Sequence, residues 1–277
     1  MTTPAPLAVG VLQLDGRDGD RRARINDART AIAQAAEQVY ALDASCHMLV
    51  LPELWATGFF HFDEYASGAE TVDGSVVTTI RDEAAERGTW IVGGSFVEDA
   101  GSRLHNTTVV VDDRGALVAS YRKIHLFGYR SRETELLGAG DRTVVFDGPC
   151  GRIGVMTCYD LRFPELARDL VNRGAKALVI VSAWPAARIA HWRTLLRARA
   201  IENQVWVIAA NAAGVDSGVQ LGGHSAVIAP DGDVVAEAGE DDSVLAAPID
   251  LAITDRVREE LPFVADNRYS VALRDDD

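Results

Sequence analysis

The chain runs twice through one succession of patterns, and that repetition limits the folds open to it more than any single motif. The first pass opens with an apolar strand, Val9-Gly-Val-Leu-Gln-Leu14. An Ala/Arg-rich segment follows from about Arg21 to Leu42, with its apolar residues at helical spacing. A strand then ends near Glu53, a helix lies near Val76–Gly88, and a strand covers Trp90–Phe96. A hairpin closes the pass, Thr107–Asp112 and Ala116–Tyr121, turned by Asp113-Arg-Gly115. From Ile153 the order returns: strand, helix Pro164–Gly174, strand Ala177–Ala183, helix His191–Asn203, strand Val205–Ala210. The stretch from Gly223 to Glu237 then mirrors the first hairpin. Two like sheets, each with an apolar face to bury and helices to cover the other, are expected to pack face to face with the helices outside. No linker interrupts the pattern, so residues 1–277 read as one domain, with a core over about 7–250 and a tail over about 251–277.

Composition narrows the function. A formal net charge of −14 excludes a nucleic-acid partner, because phosphate binding needs a basic patch. No stretch approaches the ~20 apolar residues of a membrane span, and the start, Met-Thr-Thr-Pro-Ala-Pro, lacks the pattern of a signal peptide. The cysteines, Cys46, Cys150 and Cys158, form no even framework, which points to a reducing, cytoplasmic setting. The histidines are scattered without metal-ligand spacing, and no glycine-rich phosphate loop occurs, so neither a metal nor another cofactor is expected.

Three segments end in side chains suited to nucleophilic catalysis. In Gly151-Arg-Ile-Gly-Val-Met-Thr-Cys158 an apolar strand stops at a thiol, with a helix expected directly after it. Backbone N–H groups and the positive end of a helix dipole at such a turn favour a thiolate. In His47-Met-Leu-Val-Leu-Pro-Glu53 a buried strand ends in a poorly solvated carboxylate, which suits a group that takes and returns a proton. Lys123, in Ser120-Tyr-Arg-Lys123, is one of only two lysines among 27 basic residues. A lysine kept where arginine is so favoured indicates a need for a compact ammonium. The other, Lys176, reads as solvated surface, and Cys46 and Cys150 read as structural.

Glu53, Lys123 and Cys158, in that order at strand ends, resemble the Glu-Lys-Cys triad of the nitrilase superfamily of carbon–nitrogen hydrolases. Glu133, in Ser131-Arg-Glu133-Thr-Glu, resembles the family's second glutamate, which holds the lysine. Ser182-Ala-Trp184-Pro, His191-Trp192, Arg197 to Gln204 and Gly223-His-Ser225 are similar to further family segments, so the likeness runs from about Leu7 to Tyr269. It implies a four-layer α-β-β-α sandwich of two similar mixed sheets. It also implies a homodimer or higher homo-oligomer, with Leu261–Tyr269 crossing the interface. The implied chemistry is attack by Cys158, proton transfer through Glu53, and an oxyanion held by Lys123 and the backbone N–H of Tyr159.

Within the family, Cys158-Tyr-Asp-Leu-Arg-Phe is similar to the ω-amidase branch. Nitrilases place Cys-Trp-Glu there, and carbamoylases place Asn-Asp-Arg after the cysteine. A small amide or ω-amide substrate is therefore implied, with a nitrilase, a carbamoyl amide hydrolase or a non-catalytic scaffold as alternatives. Trp184 reads equally as a pocket wall or as packing between layers. Phe59, Tyr129 and Arg188 are pocket candidates, with core or surface placement as the alternative for each.

Overall fold

The computed structural model describes residues 6–16 and 20–270. The first sheet has strand order β14-β1-β2-β3-β4-β5, built from β1 (Leu7–Gln13), β2 (Cys46–Val50), β3 (Trp90–Asp99), β4 (Leu104–Val111), β5 (Leu117–Arg122) and β14 (Ser243–Ile249). The second has order β13-β12-β9-β8-β7-β6, from β6 (Val145–Gly148), β7 (Gly151–Thr157), β8 (Ala177–Ser182), β9 (Trp206–Asn211), β12 (Ala226–Ile228) and β13 (Val234–Glu237). In both, three parallel strands form the centre, β1-β2-β3 and β7-β8-β9, with antiparallel strands on either side. A two-stranded ribbon, β10 (Val215–Asp216) and β11 (Val219–Gln220), stands apart from both sheets.

The layering follows from side-chain alternation. Leu7, Val9, Val11, Met48 and Val50 join one buried cluster with Val155, Val179 and Ile208 of the second sheet. The intervening Ala8, Leu12 and Leu49 face a different cluster, shared with helices α1 (Arg21–Tyr40) and α3 (Ser75–Arg87). Gly10 lets α1 approach β1: a Cβ there would stand 2.6 Å from Leu49 Cδ2 and 3.1 Å from Val39 Cγ1. Helices α5 (Pro164–Asn172) and α6 (Ile189–Asn203) cover the second sheet in the same way, contributing Leu166, Leu170, Trp192 and Leu196 to the first cluster. The result is the expected sandwich of two mixed sheets between helical layers. Two one-turn helices, α2 (Tyr65–Gly68) and α4 (Glu133–Leu136), sit in loops, and α7 (Ala252–Glu260) follows β14. No helix among the described residues is long and apolar enough to cross a membrane.

Two expectations change. The helix after Cys158 does not start there: a 3-10 turn, Cys158–Arg162, comes first, and Pro164 opens α5 with the fixed φ that suits a first helical position. Lys176 is not free surface; its Nζ pairs with Asp255 at 2.6 Å and fastens α7 to the second sheet. The end of the expected tail, residues 271–277, lies outside the described residues.

Candidate active site

Cys158 follows β7 at φ 46°, a left-handed conformation that a side chain with a Cβ rarely adopts. Neighbouring bonds hold it there. Asp160, fully buried, accepts from the backbone N of Thr157 at 2.9 Å and from Tyr121 Oη at 2.6 Å. It also accepts from the backbone N of His125 at 3.0 Å, with His125 Nδ1 at 2.7 Å. One carboxylate thus joins the cysteine turn to the segment that follows Lys123.

Glu53 lies three residues beyond β2 and Lys123 one residue beyond β5, and both reach the same buried point. Lys123 Nζ donates to Glu53 Oε1 at 2.8 Å and to both oxygens of Glu133 at 3.0 Å. The backbone N of Ala183 donates to Glu53 Oε2 at 3.0 Å, and that of Phe127 donates to Glu133 Oε2 at 2.7 Å. Asn106, which the sequence did not single out, donates through Nδ2 to both carboxylates, at 2.8 Å to Glu53 and 3.0 Å to Glu133. Its signal was slight: one amide among the polar residues His105, Thr107 and Thr108 in the first half of β4.

Burial would pull the Lys123 ammonium down, but the carboxylates of Glu133 and Glu53 outweigh it and hold the group well above its ordinary value. Burial pushes the Glu133 carboxyl up, against the pull of Lys123. For Cys158 the expected preference for thiolate is overturned. Burial, and then the Glu53 charge, push the thiol well above its usual range, with Lys123 working the other way. The surroundings thus favour the neutral thiol, and the Glu53 and Glu133 carboxylates both lie within electrostatic reach of it.

In front of the sulfur lies a narrow cavity of about 20 Å³, room for roughly one water molecule. Phe59 and Phe60 form one wall, Trp184 and Pro185 another, and Arg162 and Arg188 also line it. Phe59 is buried and lines this cavity, with its ring centroid 5.1 Å from Lys123 Nζ. Trp184 is 3% exposed and serves both readings, facing the cavity while its ring lies 5.6 Å from that of Trp192. Arg188 reaches the cavity, and its guanidinium lies 5.2 Å from the Tyr129 ring. Tyr129 itself is 56% exposed and stands outside the cavity lining, so it is a residue of the rim and not of the wall. Arg162, which the sequence reading passed over, lies 4.5 Å from the Trp184 ring. Tyr159 follows Cys158 in the 3-10 turn and also lines the cavity. Cys46 and Cys150 are half-buried against the inter-sheet cluster and take no part in this cavity.

Comparison with known proteins agrees with this architecture. The chain is 38% identical over 260 residues to the 2-oxoglutaramate amidase of Paenarthrobacter nicotinovorans, covering 91% of this chain and 85% of that protein. It is 39% identical over 224 residues to the 2-oxoglutaramate amidase of Bacillus subtilis, covering 80% of this chain and 85% of that one. Among solved structures, Nit3 of Saccharomyces cerevisiae, a member of branch 10 of the nitrilase superfamily, superposes with a TM-score of 0.85 at 30% identity. That match covers 96% of this chain and 97% of the other. The family model for carbon–nitrogen hydrolases matches residues 8–259, nearly the whole sandwich, and the chain belongs to that family.

Proposed function

We infer that the protein is a cysteine-dependent amidase that hydrolyses the ω-amide of a small dicarboxylic or keto acid to the free acid and ammonia. The observation that carries this reading is the pair of arginines at the cysteine cavity. Arg162 and Arg188 both line it, in a chain of net charge −14, and among the described residues neither has a carboxylate partner. Each rests instead near an aromatic ring, Trp184 for Arg162 and Tyr129 for Arg188. Guanidinium groups parked on rings beside a nucleophile suit a substrate that brings its own carboxylate. The named activity of the two bacterial relatives supports the same class.

The chemistry follows from the side chains. Glu53 takes the thiol proton as Cys158 attacks the amide carbon. The oxyanion forms against the Lys123 ammonium and the Tyr159 N–H, while Glu133 and Asn106 keep the lysine in place. Glu53 returns its proton to the departing ammonia, leaving a thioester on Cys158. It then takes a proton from water, hydroxide attacks the thioester, and the proton ends on the cysteine sulfur with release of the acid.

In the test, Arg188→Ala and Arg162→Ala should each raise KM for 2-oxoglutaramate at least about tenfold while leaving propionamide nearly unchanged. Equal effects on both substrates would remove the carboxylate site. Faster turnover of a matching nitrile would move the enzyme to another activity of the family.

The same reading places the protein in a reducing compartment such as the cytoplasm, since its nucleophile and the half-buried Cys46 and Cys150 are all free thiols. It also pairs two copies through the segment after α7, where Leu261 and Phe263 lie exposed at 59% and 37%. Sedimentation giving the mass of one chain at working concentration would refute the pairing.

A further inference from the structure

The β10–β11 ribbon plays no part in the chemistry above, yet it touches both walls of the Cys158 cavity. On one side, Asp216 Oδ2 accepts from the backbone N of Phe60 at 3.1 Å. On the other, Leu221 forms an antiparallel bridge with Pro185, and the backbone N of Gly222 donates to Trp184 O at 2.8 Å. The ribbon itself is tightly turned, with Ser217 at φ 46° and Gly218 at φ 78°.

Asp216 is 1% exposed, a carboxyl group buried behind the Phe60 backbone. Burial of a charge is costly unless neighbours compensate it, and here they are His61, next to Phe60, and Arg24 of α1. His61 Nε2 lies 3.1 Å from Asp216 Oδ1 and 3.2 Å from Arg24 Nη2. Arg24 in turn donates through Nη1 to the carbonyls of Ala56 and Thr57, which lead into the wall. Gly58 completes the fit at φ 87°: a Cβ there would stand 2.9 Å from Asp216 Oδ1 and 2.5 Å from His61 Cδ2. The opposite face of this wall is fixed as well, because Tyr65 Oη donates to Phe59 O at 2.6 Å.

We propose that Asp216 is a positioning residue that fixes the separation of the Phe59–Phe60 and Trp184–Pro185 walls, and so sets the length of the side chain a substrate may carry. This rests on the reading of the Cys158 cavity as the substrate site. The two walls are joined through the ribbon, by the Phe60 N–H on Asp216 and by the Leu221–Pro185 bridge. The carboxylate uses one oxygen for the Phe60 N–H and turns the other to His61. Alanine removes the Phe60 hydrogen bond and the charge contact with His61; asparagine keeps an acceptor and loses the charge.

The test reads the cavity without requiring turnover. Cys158 is alkylated with 2-iodoacetamide and, separately, with 2-bromohexanamide, and the ratio of the two rates is followed by mass spectrometry of the peptide holding Cys158. Relative to the parent protein, Asp216→Ala should raise the relative rate of the longer reagent about tenfold, and Asp216→Asn about threefold. Melting temperatures and circular dichroism establish that each variant is folded. An unchanged ratio in folded variants overturns the proposal, and if only the asparagine variant folds, its ratio alone decides. Failure of the parent to hydrolyse any ω-amide would refute the proposed activity while leaving this measurement readable. Absence of labelling at Cys158 in the parent would refute the placement of the pocket and this proposal with it.

Discussion

At the scale of single residues, the cost of burying the thiol sets the expectations. Cys158 is 8% exposed at a strained turn, with its proton held tightly, so its value to the protein lies in chemistry and not in packing. Cys158→Ala should abolish amide hydrolysis with a melting temperature close to the parent's, while Cys46→Ala and Cys150→Ala keep turnover. Normal hydrolysis by the Cys158 variant would end the proposed mechanism. In the proposed mechanism Lys123 supplies one oxyanion donor, worth ~3 kcal/mol, so Lys123→Ala should lower kcat by about two to three orders of magnitude. Lys123→Arg should be nearly as slow, because a planar guanidinium cannot take the ammonium's three bonds to Glu53 and Glu133. Steady-state kinetics showing most of the kcat retained in the arginine variant would contradict this. Glu53, Lys123 and Cys158 could be read from the sequence because each ends a recognisable strand, and the scarcity of lysine marked Lys123 further. Asn106 and Asp216 could not. Their importance comes from what folds against them, which no local pattern announces.

At the scale of elements, the meander β3-β4-β5 carries Lys123 at its end, and it is locked across its strands by Glu98. That carboxylate accepts from Arg122 Nε and Nη2 at 2.8 Å each and from Thr107 Oγ1 at 2.6 Å. Burial would raise its pKa, but the bonds from Arg122 and Thr107 prevail and hold it below the usual carboxylate range. A folded-state value below the unfolded one adds stability that is fully present above about pH 4.5, the unfolded value. That stability is lost as pH falls through the lower folded value. Urea midpoints measured from pH 7 downward should therefore show Glu98→Gln weaker than the parent near neutrality, with the gap closing in acid. A gap that stayed constant to pH 3 would show that the lock is not a charge effect. The central strands and large helices were legible because their apolar periods are long. The strands β6 and β14 were not: one has only four residues, and the other contains a proline within its run.

At the scale of the whole molecule, the shared core makes the two halves one object. Val9, Val50, Val92 and Val110 of the first sheet lie in one buried cluster with Val155, Val179 and Ile208 of the second. Neither sheet can keep its inner face dry without the other. We propose that the chain is a single cooperative domain, and calorimetry should give one transition whose van't Hoff and calorimetric enthalpies agree. Two resolved transitions, or a stable fragment ending near residue 148, would refute it. The strand β14 has a consequence of another kind. It pairs with β1 along its whole length, Leu7 with Ile249 through Gln13 with Ser243, although almost the entire chain separates them. On the ribosome β1 is made more than 200 residues before its partner, so one edge of the first sheet stays open for roughly 10–50 s of synthesis. During that interval an apolar strand has no neighbour on one side, and a cell making this protein in quantity must shield that edge or lose chains to edge-to-edge association.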